Sequence, residues 1–149
     1  MFGQPVKADC GYEVAFTDLT SQVVAGTAGE VIEEILSART WSGELAPLEA
    51  QLRGGVAQLT EAVAFVKGQA GSAYRDLYAR KLVDLAIDLM VGALFCDHAT
   101  ASTKKLAVAK HWLNSRLPQV RMLKEQICSG DASTLTDFES LAGALPVAD

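Results

Sequence analysis

Seven apolar residues, Leu45, Leu48, Leu52, Val56, Leu59, Val63 and Val66, recur at steps of three and four. That spacing returns to one side of an α-helix at every turn but scatters over both faces of a strand. The stretch therefore has to be a helix, and a helix with one long stripe to bury. Ser42 stands where an N-cap belongs, and Pro47 lies early, where a missing N–H costs least. The loop from Gly68 to Ser72 ends the pattern, which predicts a helix over roughly 43–67.

A single stripe needs partners, and the rest of the chain offers helices to supply them. Over roughly 18–38, Val24, Ala28, Val31, Ile32, Ile35 and Leu36 follow the same period, weakened locally by Gly26 and Gly29. Over roughly 73–99, Leu82, Leu85, Leu89 and Cys96 line one side. Val83, Ile87, Met90 and Leu94 line a second, and Val91 and Phe95 a third. Only Lys81, Asp84 and Asp88 make a narrow polar stripe, so this helix is either the centre of a bundle or part of a subunit contact. Over roughly 103–129, Leu106, Ala109, Leu113, Leu117, Val120, Leu123 and Ile127 form one face, with Ser102 as N-cap and Gly130 as the stop. Pro118 lies inside it and predicts a kink near Asn114 to Pro118. A short helix at about 134–143 follows, with Thr134 as cap and Asp137 three residues on.

No stretch shows sustained strand alternation, so the chain reads as all-α. The expected fold is an antiparallel bundle of four long helices plus a short C-terminal one. Residues 1–16 show no period and are expected to be poorly structured; 17–149 form one domain, and a chain of 149 residues needs no staples to hold it. The loop between the third and fourth long helices is very short, which makes those two antiparallel neighbours. With the loop centre near Thr100 and Ala101, Arg116 falls opposite about position 85.

Charge and cysteines narrow the functional classes. The formal net charge is −5, which argues against nucleic acid as a partner. Yet no acidic residue stands between His98 and Glu125, where Lys104, Lys105, Lys110, Arg116, Arg121 and Lys124 gather. Cys10, Cys96 and Cys128 form no paired set and no CxxC, and the start MFGQPVKADC is no signal peptide, so a cytoplasmic location is expected. The most apolar run, Leu85 to Cys96, is broken by Asp88 and falls short of the about 20 residues that span a membrane.

Candidate chemistry is sparse. Asp84 and Asp88, one turn apart on a mostly apolar helix, suit either metal or acid–base work, or an ion pair with Arg116 that holds the hairpin together. The structural pair of Asp84, Asp88 and Arg116 is the reading adopted, because neither histidine sits in the Glu-x-x-His pattern of di-iron bundles: Phe95 stands three before His98, and Val108 three before His111. Cys96 and His98 point apart on a helix, and the hairpin sets Cys128 about 35 Å from Cys96 at 1.5 Å per residue. No phosphate loop, GxGxxG or GxSxG is present; GTAG at 26–29 and GQAG at 68–71 are isolated glycine pairs. No catalytic, cofactor-binding or metal-ligating residue is therefore assigned. The basic stretch leaves Lys104, Lys105, Lys110, Arg121 and Lys124 as contacts for an anionic surface or acidic partner, against the plainer reading of a solvated face balanced by Glu30, Glu33 and Glu34.

From Ser102 the chain reads STKKLAVAKHWLNSRLPQVRMLKEQICSGDASTLTDFESLA. This resembles the C-terminal helical domain of bacterial acyl-CoA dehydrogenases, the acetyl-CoA dehydrogenase C-terminal-like domain. The resemblance rests on Lys105-Leu106, on Ala109-Lys110-His111-Trp112, on Leu117-Pro118 and on Gly130. His111 stands where that family usually has an aromatic residue. The preceding LEAQLRGGVAQLTEAVAFV is similar to the family's preceding helix, so the likeness covers about 43–142, and residues 1–42 match nothing placed. It implies a non-catalytic accessory domain that packs beside a catalytic core and takes part in oligomerisation, with a homodimer expected. The parent would be an FAD-dependent oxidoreductase of fatty acid metabolism; FAD is implied for the parent core, none for this chain. In long-chain relatives the domain is associated with membranes, which implies peripheral contact and no crossing. The alternative is a free-standing helical adaptor that binds a protein or an anionic surface through the basic helix 102–129. Because the 73–99 helix is apolar on three sides and the 43–67 stripe is long, either could form the dimer seam.

Overall fold

The computed structural model describes residues 19–143, which hold seven helices and no strand. The order is α1 (19–25), α2 (Thr27–Ser37), α3 (Ala46–Lys67), α4 (Ala73–Ala99), α5 (Thr103–Ile127), α6 (Ser133–Thr136) and α7 (Phe138–Ala142). The segment 1–16, expected to be poorly structured, lies outside the described residues, as does Cys10.

The long helices form the antiparallel bundle that the periodicity requires. Six of the seven stripe residues, Leu48, Leu52, Val56, Leu59, Val63 and Val66, are buried in α3, and Leu45 is half-buried in the turn before it. From α4 come Leu82, Leu85, Leu89 and Cys96, from α5 Ala109, Leu113, Val120 and Ile127, and from α2 Ile32 and Leu36. Helices α3, α4 and α5 pack mutually, with α2 laid over α3 and α4. Two glycines mark where the backbones come closest. A Cβ at Gly55 would stand 2.3 Å from Leu89 Cδ2, and one at Gly92 would stand 2.9 Å from Leu113 Cδ2 and 3.1 Å from Leu52 Cδ2.

The α4–α5 hairpin turns through Thr100–Ser102 and is tied along its length. Trp112 Nε1 donates to the Asp88 carbonyl at 3.0 Å. At the far end the Tyr74 hydroxyl donates to the Ile127 carbonyl at 2.7 Å and accepts from Gly130 N–H at 3.1 Å. The Tyr78 hydroxyl donates to the Asp131 carbonyl at 2.9 Å. These two tyrosines hold down the C-terminus of α5, whose last carbonyls have no helical partner of their own.

Several expected details differ. The 18–38 helix is two helices, because Gly26 adopts φ 97°, a left-handed value that an α-helix cannot contain. Ser42 has the extended backbone of an N-cap, but its side chain caps nothing; a 3₁₀ turn over Gly43–Leu45 leads into α3 instead. Ser102 likewise makes no side-chain cap. Helix α5 holds Pro118 inside it, exposed, and ends at Ile127 rather than 129. The short helix at 134–143 is two pieces, broken at Asp137; its N-cap position is Ala132 rather than Thr134, and Asp131 Oδ1, one residue earlier, accepts from Ser133 N–H at 2.9 Å. Trp41, given no role by periodicity, is buried, and its indole donates to the Leu36 carbonyl at 2.6 Å, locking the link between α2 and α3.

Candidate functional site

The outward side of α4 is the most distinctive surface of the bundle. Ile87 is 48% exposed and Leu94 41%, with Val91 and Met90 half-buried beside them. On one flank stands Val31 of α2, and on the other Val108 and Met122 of α5, all exposed. No large apolar residue of α3 is exposed in this way. Between α1–α2 and α4 lies an apolar groove of about 240 Å³, floored by Val23, Ala28, Val83, Ala86 and Met90. Between α4 and α5 lies a second, of about 310 Å³, with Arg80, Asp84, Asp88, Arg116 and Gln119 on its walls and Ile87 shared with the first.

That second groove receives the acidic residues singled out from the sequence, and it divides them. Asp84 accepts from Arg80 on its own helix at 2.9 Å. Asp88 stands 3.8 Å from Arg116 Nε across the hairpin, with its side chain 11% exposed and that of Arg116 39% exposed. The expected triad of Asp84, Asp88 and Arg116 is thus one cross-helix contact and one local pair, because an arginine one turn away reaches Asp84 more directly than one on the neighbouring helix. The Arg116 guanidinium also lies 4.8 Å over the Trp112 ring and donates to Gln119 Oε1 at 3.0 Å. Burial pushes the Asp88 carboxyl above its ordinary range; Arg116 pulls it back and the nearby Asp84 adds to the rise.

The basic residues of α5 are likewise divided. Lys110 reaches Glu44 and Lys124 reaches Glu61, each at 2.7 Å, so both tie α5 to the α3 end of the bundle. Lys104, Lys105 and Arg121 are exposed, with no ion-pair partner among the described residues. The balancing carboxylates are Glu44 and Glu61 rather than Glu30, Glu33 and Glu34; Glu33 pairs with Arg53 instead.

No group of three His, Cys, Asp or Glu side chains among the described residues could hold a metal ion. Cys96 is buried and its thiol is pushed up to about 11, the state of an inert core cysteine. His98 and His111 are exposed, and no helix of the described residues is long and apolar enough to cross a membrane.

The described residues form an all-helical bundle with exposed apolar residues along the outward side of α4. The family model for the C-terminal domain of acyl-CoA dehydrogenases, "Acyl-CoA dehydrogenase C terminal", matches residues 24–129. The chain belongs to that family. The match takes in residues 24–42, beyond the 43–142 span of the resemblance, and stops before α6 and α7, which that span includes. No curated protein and no solved structure matches the chain.

Proposed function

We propose that this chain is a non-catalytic accessory domain of acyl-CoA dehydrogenase type, which works by packing and self-association beside a flavin-dependent catalytic core. The observation that carries the reading is the outward face of α4. Six of the exposed large apolar residues, Leu19, Val31, Ile87, Leu94, Val108 and Met122, lie on α4 or on the elements beside it. An exposed apolar face of this kind suits a subunit contact. The alternative seam on α3 offers a partner less apolar surface, since six of its seven stripe residues are buried within the chain. The alternative adaptor role for the basic helix loses two of its five cations, Lys110 and Lys124, to internal pairs.

On this reading the chain itself holds no FAD, and acyl-CoA chemistry belongs to the core it accompanies. The test is light scattering on the purified chain at rising micromolar concentration. The expected mass is twice the 15.8 kDa of one chain, falling to one in Ile87→Asp with helix content unchanged. A wild-type chain that stays monomeric throughout, or a preparation that carries flavin colour, overturns the reading.

A further inference from the structure

The charges on either side of the α4 face are sorted by sign. On the α2 flank stand Glu30 and Glu34, both exposed and without an ion-pair partner among the described residues. On the α5 flank stand Lys104 and Lys105, equally unpaired. The other charges near the face are already matched: Arg39 with Asp97, Arg80 with Asp84, and Arg116 with Asp88. The face is thus apolar along its middle, acidic on one edge and basic on the other.

The heights of these charges are fixed by packing. Helix α2 runs parallel to α4, since Ala28 and Val31 share a groove with Val83 and Met90, while Glu34, Ile35 and Ala38 share one with Leu94 and Asp97. Helix α5 runs antiparallel, with Trp112 beside Phe95 and Asp88. Lys105 lies two turns before Trp112 on the same side of α5, which brings it level with the Leu94–Asp97 end of α4. Glu34 and Lys105 therefore stand at about the same height, on opposite edges.

We propose that a second copy of this chain covers the α4 face, related by a two-fold axis along α4, so that Glu34 of each copy meets Lys105 of the other. An axis in that direction exchanges the two edges and preserves height, laying acid on base twice. An axis across α4 would lay acid on acid and base on base. Closed two-fold pairing needs only such a self-complementary patch, and charge complementarity sets its register. The inference rests on the self-association proposed above and adds the geometry of the contact.

Charge reversal tests it by sedimentation equilibrium. Glu34→Lys alone and Lys105→Glu alone are each expected to weaken the dimer about tenfold or more, since each touches two symmetric pairs. The double variant Glu34→Lys/Lys105→Glu is expected to recover most of that loss, and added salt to shrink every difference. Both residues are exposed, so folding is not at stake; circular dichroism checks this. A dimer that Ile87→Asp abolishes but that ignores both single reversals, or a double variant weaker than either single one, overturns the edge pairing and leaves the self-association standing. A wild-type chain that never dimerises overturns both.

Discussion

Gly54 and Gly55 are neighbours on α3, yet replacing each with alanine is expected to move stability in opposite directions. Both substitutions gain the same intrinsic term, since alanine is better than glycine inside a helix by about 0.8–1.0 kcal/mol. At Gly54 nothing lies within 4 Å of the new Cβ, so the gain is kept. At Gly55 the Cβ would stand 2.3 Å from Leu89 Cδ2. Leu89 is 1% exposed, so its methyl has no free space to enter and either the rotamer or the α3–α4 spacing must give. Overpacking of this kind costs about 1–3 kcal/mol, which offsets or exceeds the propensity gain. Gly54→Ala should therefore raise stability by just under about 1 kcal/mol, and Gly55→Ala should leave it unchanged or lower it by up to about 2 kcal/mol. For a chain of this size each kcal/mol is worth about 2–4 °C in melting temperature. Thermal and urea unfolding followed by circular dichroism, at one fixed protein concentration, reads the difference directly. Gly55→Ala matching or exceeding Gly54→Ala would mean that α3 and α4 are not in the close contact described, and the reasoning would fail.

Four further outcomes are expected. Arg116→Met should cost under about 1 kcal/mol, because the arginine is 39% exposed and solvent screens its contact with Asp88. The raised carboxyl of Asp88 gives that region a pH dependence: a carboxyl whose folded pKa is raised stabilises the fold while protonated, below its ordinary 3.8, and the contribution is lost as pH rises through the folded value. Asp88→Asn should thus stabilise the chain near neutrality and make no difference well below that value; urea titrations at both ends of the range check it. Tyr74→Phe leaves the Ile127 carbonyl and the Gly130 N–H without their hydroxyl partner, costing about 1–3 kcal/mol and speeding amide hydrogen exchange at the end of α5. Equal exchange in the two proteins would show that the hydroxyl is idle. In a Cys10→Ser background, a disulfide reagent should modify half-buried Cys128 well before Cys96, whose thiol is buried and shifted up to about 11; the reverse order would contradict the packing of α4.

Periodicity recovered what periodicity controls. The α4 boundaries read from the sequence, 73–99, coincide with Ala73–Ala99, because a helix apolar on three sides leaves no competing assignment. The all-α bundle and the α4–α5 hairpin followed from the same signal. What escaped were features decided by one backbone angle or one side-chain rotamer. Gly26 weakens the helical pattern, but a break depends on its φ, which the letter alone does not declare. Ser42 and Ser102 have cap backbones and uncapping side chains, a difference of rotamer. A facing-position rule sees only the opposite helix and so sets Asp84 against Arg116, whereas Arg80 competes from one turn away. The candidate face was half legible: the apolar residues of α4 were plain, but only the placement of α2 and α5 reveals that Ile87 and Leu94 remain outside while Leu85 and Leu89 do not.

The tie points of the hairpin also give folding an order. From the turn at Thr100–Ser102, the Trp112 indole meets the Asp88 carbonyl across a separation of 24 residues, whereas the tyrosine clasps at the far end close 53. Loop closure grows costlier with separation, though slowly, so the short contact forms first and brings the next pair within reach. The hairpin is expected to zip from the turn outward, with Tyr74 and Tyr78 as its last fasteners. Substitutions at Trp112 should then slow folding, while substitutions at either tyrosine should leave the folding rate nearly alone and speed unfolding.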